Sequence, residues 1–202
     1  MINKFWLKFF NRTKYQKYKS ERTYKVKLKK FKENIGSYVL PVIIILALSL
    51  TRLIPHPWNF SPMLAVGIFS GFYFRQLYLS LFVVIVSMFI GDLFLGFHSL
   101  MFFTYVALAI AVLIGLCVKH FKFTEILYSG LASSVCFFII TNFGAWFAHG
   151  ELYAKNFSGL MQSYVMAIPF FQNTLISTFL YLLLFKLLFD LVVKKKIFKT
   201  SF

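Results

Sequence analysis

Long apolar stretches alternate with short polar knots along most of this chain. A helix needs about 20 apolar residues to cross a hydrocarbon layer some ~30 Å thick. The apolar pattern predicts crossings over 37–53, 62–75, 77–94, 100–118, 126–147 and 170–193. Between the first two lies RLIPHPWNFSP, where Pro55, Pro57 and Pro62 end any helix. Pro62 itself suits the first turn of the next helix. The second stretch is short, which implies tilt or burial behind its neighbours. Residues 158–167 read either as a short interfacial helix or as the start of the last crossing, which closes on Lys194, Lys195 and Lys196. The expected fold class is all-α: a polytopic transmembrane helical bundle of about six helices, over residues 37–196. A basic cytoplasmic tail, 1–36, precedes it, and a short cytoplasmic tail, 197–202, follows.

Composition agrees with the pattern. Charged residues make up 14% of the chain, against about 25% in a soluble domain. The formal charge of +16 would suggest nucleic acid in a soluble protein. Here residues 1–33 carry 12 cations and 2 anions, so 12 − 2 leaves +10 in the tail alone. The bilayer and its anionic headgroups are therefore the expected partner, and nucleic acid is not. Phe5, Trp6, Phe9 and Phe10 share one helical face beside lysines, a pattern suited to a surface-bound amphipathic helix. A solvated tail that only sets topology is the alternative. The cationic segment is too long for a signal peptide, and no small-residue cleavage site follows it. Cys117 and Cys136 lie inside apolar stretches and form no CxxC, which reads as helix packing.

The polar residues concentrate at one membrane level. Arg52, His56, Asn59, Asp92, His98, Asn142, His149 and Glu151 all fall at one end of a helix or in the loop beyond it, with Trp58 and Trp146 at the same level. Ionisable groups in an apolar layer pair with each other or line a cavity. The candidate solute-binding residues are Arg52, Asn59, Asp92, His98, Asn142, Trp146, Gln172 and Asn173. Arg52 and Asp92 read equally as a structural ion pair or as ligand contacts. Gln172 and Asn173 read as helix glue or as a pocket floor. Interfacial anchoring is the other reading of both tryptophans. His56, His98 and His149 are the candidates for metal, but they form no HxxxH or HxH, so no metal and no cofactor is expected. Ala107, Ala111 and Gly115 form a small-residue stripe, as do Gly67 and Gly71. Such stripes admit a close helix, within the bundle or in a partner subunit. There is no GxSxG, HExxH or P-loop, so no enzyme and no intrinsic ATPase is expected. Acid–base chemistry by His98 and Asp92 is the remaining enzymatic reading.

The segments RLIPHPWNFSPMLAVGIFSGFYF, GDLFLGFHSLMFFTYVALAIAVLIG, TNFGAWF and GLMQSYVMAIPFFQNTL resemble an uncharacterised bacterial family of membrane proteins assigned to transport. That family is in turn similar to the substrate-binding S components of energy-coupling-factor (ECF) transporters. The resemblance spans roughly Leu48 to Tyr181 and omits the basic tail. It implies six helices, a solute pocket open to the outside, and partners in a transmembrane coupling subunit and two cytoplasmic ATPases. The expected function is binding and uptake of a small micronutrient-like solute at the bacterial inner membrane. The alternatives are a non-transport membrane scaffold and a metal-ion uptake protein using outer-side His and Asp.

Cations set the expected orientation. The tail's 12 join Arg75, Lys119, Lys122, Lys186, Lys194, Lys195, Lys196 and Lys199 on one side, making 12 + 8 = 20. Only Arg52 and Lys155 fall on the other. Reporter fusions at the two ends should therefore both give cytoplasmic signals. A periplasmic signal at either end would overturn the assignment.

Overall fold

Where water is absent, a backbone satisfies its own hydrogen bonds most simply as helix. The protein follows this rule in a computed structural model that describes residues 38–39 and 41–194. Among the described residues there are helices and connecting loops and no strand. They are α1 (Pro41–Leu53), whose last three residues form a 3-10 turn, α2 (Met63–Phe74), α3 (Leu77–Leu95), α4 (Met101–Cys117), α5 (Phe123–Ala148) and α6 (Phe157–Lys194). The chain divides after Pro41 into two units, and the packing described below lies within the second. The aromatic surface helix expected in the tail, Lys195, Lys196 and the segment 197–202 lie outside the described residues.

Among the described residues, three helices are long and apolar enough to cross a membrane: Leu77–Leu95, Phe123–Ala148 and Phe157–Leu191. The apolar helices α1, α2 and α4 are shorter. The interfacial-helix reading of 158–167 gives way to the other: those residues belong to α6, which runs through Pro169. The proline removes one N–H from the ladder, a loss that membrane helices tolerate.

The short second stretch is explained by burial. At about 1.5 Å per residue, the 12 residues of α2 cover about 18 Å. Every one of them except Tyr73 is buried, and α2 packs against α3, α4, α5 and α6. A helix that is apolar all round belongs in the middle of a bundle. The outer helices turn large apolar side chains outward instead, among them Phe82, Phe94, Phe102, Ile139, Val165 and Ile176. Inside, small hydroxyls such as Ser70 and Ser87 are buried, each donating to the carbonyl one turn earlier.

The two small-residue stripes face each other. Ala111 meets Gly67, and Gly71 lies against the backbone of Val112, Gly115 and Leu116. Ala107, Ala111 and Gly115 are buried in this seam. Of the two readings of Ala107, Ala111 and Gly115, packing within the bundle therefore applies, and the partner-docking reading gives way to it. The stripe was legible in the sequence, but its counterpart was set by helix rotation.

The ends of the bundle differ. Toward the C-terminal ends of α2 and α4, an aromatic cluster fills the interior. Phe69 stacks on Phe185 with ring centres 4.5 Å apart, and Phe72 on Phe121 at 4.7 Å. Arg75 seals that end by donating to the carbonyls of Leu116 and Lys119 at 3.1 and 3.0 Å, where cations favour a helix C-terminus. The other end is hollow.

The seam generates a stability prediction. A Cβ at Gly115 would lie 2.8 Å from the carbonyl carbon of Ile68 and 2.9 Å from its Cα. Backbone cannot move aside as a side chain can. Gly115→Ala should destabilise the bundle by about 1–3 kcal/mol, read from unfolding in mixed micelles. Leu113→Ala, at a position 48% exposed on the same helix, should move the midpoint far less.

Candidate functional site

The hollow end is organised by one side chain. Ile54 and Pro55 stop α1 in an extended conformation. The 3-10 turn before them directs Arg52 onto α3. Its Nη1 donates to Asp92 Oδ1 at 2.7 Å and also approaches Met88, with the Sδ at 3.1 Å. Gly91 makes room, since a Cβ there would sit 2.9 Å from Nη1. Asp92 is 0% exposed. Its second oxygen accepts from the Tyr105 hydroxyl at 2.9 Å. Both carboxylate oxygens are thus engaged, and α1, α3 and α4 are joined at one point.

Around Arg52 opens a cavity of about 530 Å³ to which all six helices or the loops between them contribute. The 54–62 loop supplies His56, Trp58, Asn59 and Ser61. Asn59 adopts a left-handed backbone with φ of 60°, which asparagine tolerates better than most residues, and the turn Phe60 N–H to Pro57 carbonyl closes beside it. The segment after α3 supplies Gly96 and His98. The walls are Leu64, Leu95, Leu100, Leu108 and Phe137, interrupted by Thr104, Thr141, Asn142 and Thr174. Arg52 is the only Lys, Arg, Asp or Glu in this lining.

On the outer surface at the aromatic end, an open groove of about 390 Å³ runs between α4 and α5, walled mainly by apolar groups. Its carboxylate, Glu125, already caps the N–H groups of Lys119 and His120 at 2.7 and 3.0 Å. The Arg52 cavity is therefore the better site.

The sequence-derived candidates separate into two groups. Arg52, Asn59, His98 and Asn142 line one cavity. Asp92 lies behind the wall, bound to Arg52 and Tyr105. Trp146 is directed away: its indole N–H donates to the Ala154 carbonyl and Lys155 lies over its ring. Gln172 is exposed on α6. Asn173 donates to the Trp58 carbonyl at 3.0 Å, tying α6 to the rim loop. Of the histidines, His56 and His98 line the cavity, while His149 pairs with Ser99. No group of three or more His, Cys, Asp or Glu side chains gathers among the described residues. Tyr105, Thr104, Thr141 and Thr174 were missed because nothing in their local pattern distinguishes them from packing residues.

A family model described as "Family of unknown function (DUF6580)" matches residues 32–200. The chain belongs to this family. No curated protein and no solved structure gives a match to it. Arg52, Asp92, Tyr105 and the whole lining of the cavity fall inside the DUF6580 match, and most of the basic tail falls outside it.

The ion pair can be tested directly. Asp92→Asn strands the Arg52 cation and should cost about 3–5 kcal/mol of stability. The double variant Arg52→Gln, Asp92→Asn removes both charges and should recover much of that loss. Tyr105→Phe deletes a hydrogen bond to a buried charge and should cost about 1.5–3 kcal/mol. Unfolding in mixed micelles reads all three. A double variant no more stable than Asp92→Asn alone would contradict the pairing.

Proposed function

We propose that this chain is a membrane-embedded solute-binding subunit for uptake of a small micronutrient-like compound. One observation carries the reading: a bundle plugged by aromatic rings at one end holds, at its other end, a cavity of about 530 Å³ with a guanidinium in its wall. Ligand sites are typically about 300–1,000 Å³, mostly apolar, with a few placed polar groups. The cation asymmetry of the sequence would put the mouth of this cavity on the extracytoplasmic side. A dead-ended pocket binds solute without conducting it, so transport would require a partner that moves or energises the bundle. An ECF-type coupling subunit with its ATPases is the partner class that the sequence resemblance implies, and both termini would then lie in the cytoplasm of a bacterial inner membrane.

The cavity also weighs against the scaffold reading. A scaffold has no use for an open space, and its polar residues can satisfy each other. Asp92 is satisfied in that way, yet the pocket around Arg52 remains. Metal-ion uptake has less support, because among the described residues His56 and His98 reach the cavity without a carboxylate or a third imidazole in its lining.

Thr104 projects into the cavity from α4. Thr104→Phe should fill part of the space while leaving the α2–α4 seam alone. Protein purified under native conditions should carry a bound small molecule detectable by native mass spectrometry, and the variant should lose it while remaining monodisperse. Equal retention by both proteins would remove the cavity from consideration as the binding site.

A further inference from the structure

The polar atoms of the cavity specify which end of a ligand goes where. Among the described residues, the polar contacts of the Arg52 guanidinium run through Nη1, which reaches Asp92 and Met88. Nη1 and Cδ are also the atoms nearest Gly91, so this edge lies against α3. The opposite edge carries Nε–H and one N–H of Nη2. Neither makes a hydrogen bond among the described residues, and Arg52 lines the cavity. Those two N–H groups form the parallel fork that receives a carboxylate. One guanidinium can bridge two carboxylates, because its edges are separate forks. No acidic side chain lines the cavity to repel an incoming anion.

Four polar groups of the same lining have the reverse character. Thr104 donates to the Leu100 carbonyl at 3.1 Å, Thr141 to that of Phe137 at 2.8 Å, and Thr174 to that of Phe170 at 3.1 Å. Asn142 uses one of its two amide N–H groups on the Phe138 carbonyl at 2.8 Å. A hydroxyl has one proton, so each threonine offers the cavity only acceptor lone pairs, and the Asn142 carbonyl oxygen adds another. The same lining carries Leu64, Leu95, Leu100, Leu108 and Phe137.

We propose that the solute is a small carboxylate with an apolar body and a distal N–H or O–H: its carboxylate seats on the Nε–Nη2 edge of Arg52, and its donor faces Thr104, Thr141, Asn142 and Thr174. The assignment rests on the solute-binding reading above and names the class of compound. Asp92 then acts as a positioning residue, holding the far edge of the guanidinium so that the near edge points into the cavity.

The test uses the full chain in lipid nanodiscs, with equilibrium dialysis against empty nanodiscs as the partition control. The probes are p-hydroxyphenylacetate, its neutral amide, and p-methoxyphenylacetate, which keeps the acid and loses the donor. The acid should bind at least about tenfold tighter than the amide, since charge-assisted bonds are roughly twice as strong as neutral ones. Loss of the donor should weaken binding about fivefold, one ordinary hydrogen bond. The double variant Arg52→Gln, Asp92→Asn should abolish the preference for acid over amide. An amide that binds as well as the acid overturns the carboxylate assignment and leaves the pocket standing. A methoxy compound as tight as the phenol overturns the donor assignment. A preference that survives in the double variant removes Arg52 as the anchor. Binding by none of the three probes overturns both the assignment and the solute-binding reading.

Discussion

A carboxylate buried in an apolar bundle must have its charge answered, and the way Asp92 is answered determines much of the rest. An isolated charge in such a layer is prohibitively costly. Asp92 has no exposed surface, so its partners must come to it. Arg52 comes from the end of α1 and Tyr105 from α4. The pair therefore joins three helices that are not consecutive neighbours in every case, and it fixes the turn that leads into the rim loop. Gly91 is part of the same device, because only a residue without a side chain lets the guanidinium come so close to α3. Such a pair contributes less net stability than its geometry suggests, since desolvation offsets attraction. Its main consequence is orientation: it decides which edge of Arg52 faces the cavity.

The solid and hollow ends arise from the same economy of side-chain size. Glycines and alanines bring α2 and α4 so close that backbone meets backbone, and aromatic rings complete the packing at the far end. At the near end the prolines of the 54–62 loop prevent any helix from continuing, and the short α2 leaves space above its first turn. Asn173 and the Thr51–Tyr181 contact hold the loop and the α1 terminus to α6. The rim is thus built from side-chain bonds between distant segments, a construction suited to a pocket with a defined mouth.

Membership of DUF6580 brings no function with it, so the functional argument rests on the site. Its residues are ordinary ones in an unusual arrangement: one cation with a spare edge, hydroxyls with spare acceptors, and apolar walls between them. Neither a metal centre nor a catalytic constellation is needed to account for them. The proposed binding role rests on what the groups have left over after satisfying the protein itself.

The sequence by itself determined the helical class, the approximate element boundaries and the level at which polar residues collect. These are local properties, because apolar length and proline position act within a segment. It offered Arg52 and Asp92 as an ion pair or as ligand contacts with equal weight, and the 2.7 Å contact between them comes from the tertiary structure. Tertiary structure decided everything that depends on helix rotation, where each residue turns about 100° from the last. Gln172 and Asn173 are adjacent, yet one faces outward and the other reaches the Trp58 carbonyl. Trp146 shares a level with the cavity but turns to Ala154. The Ala107, Ala111 and Gly115 stripe found its counterpart inside the bundle, on α2. Asp92 was drawn behind the wall by Tyr105, a residue that no spacing links to it. Level along a helix axis is written in the sequence; the direction a side chain takes around that axis is settled only when all the helices pack.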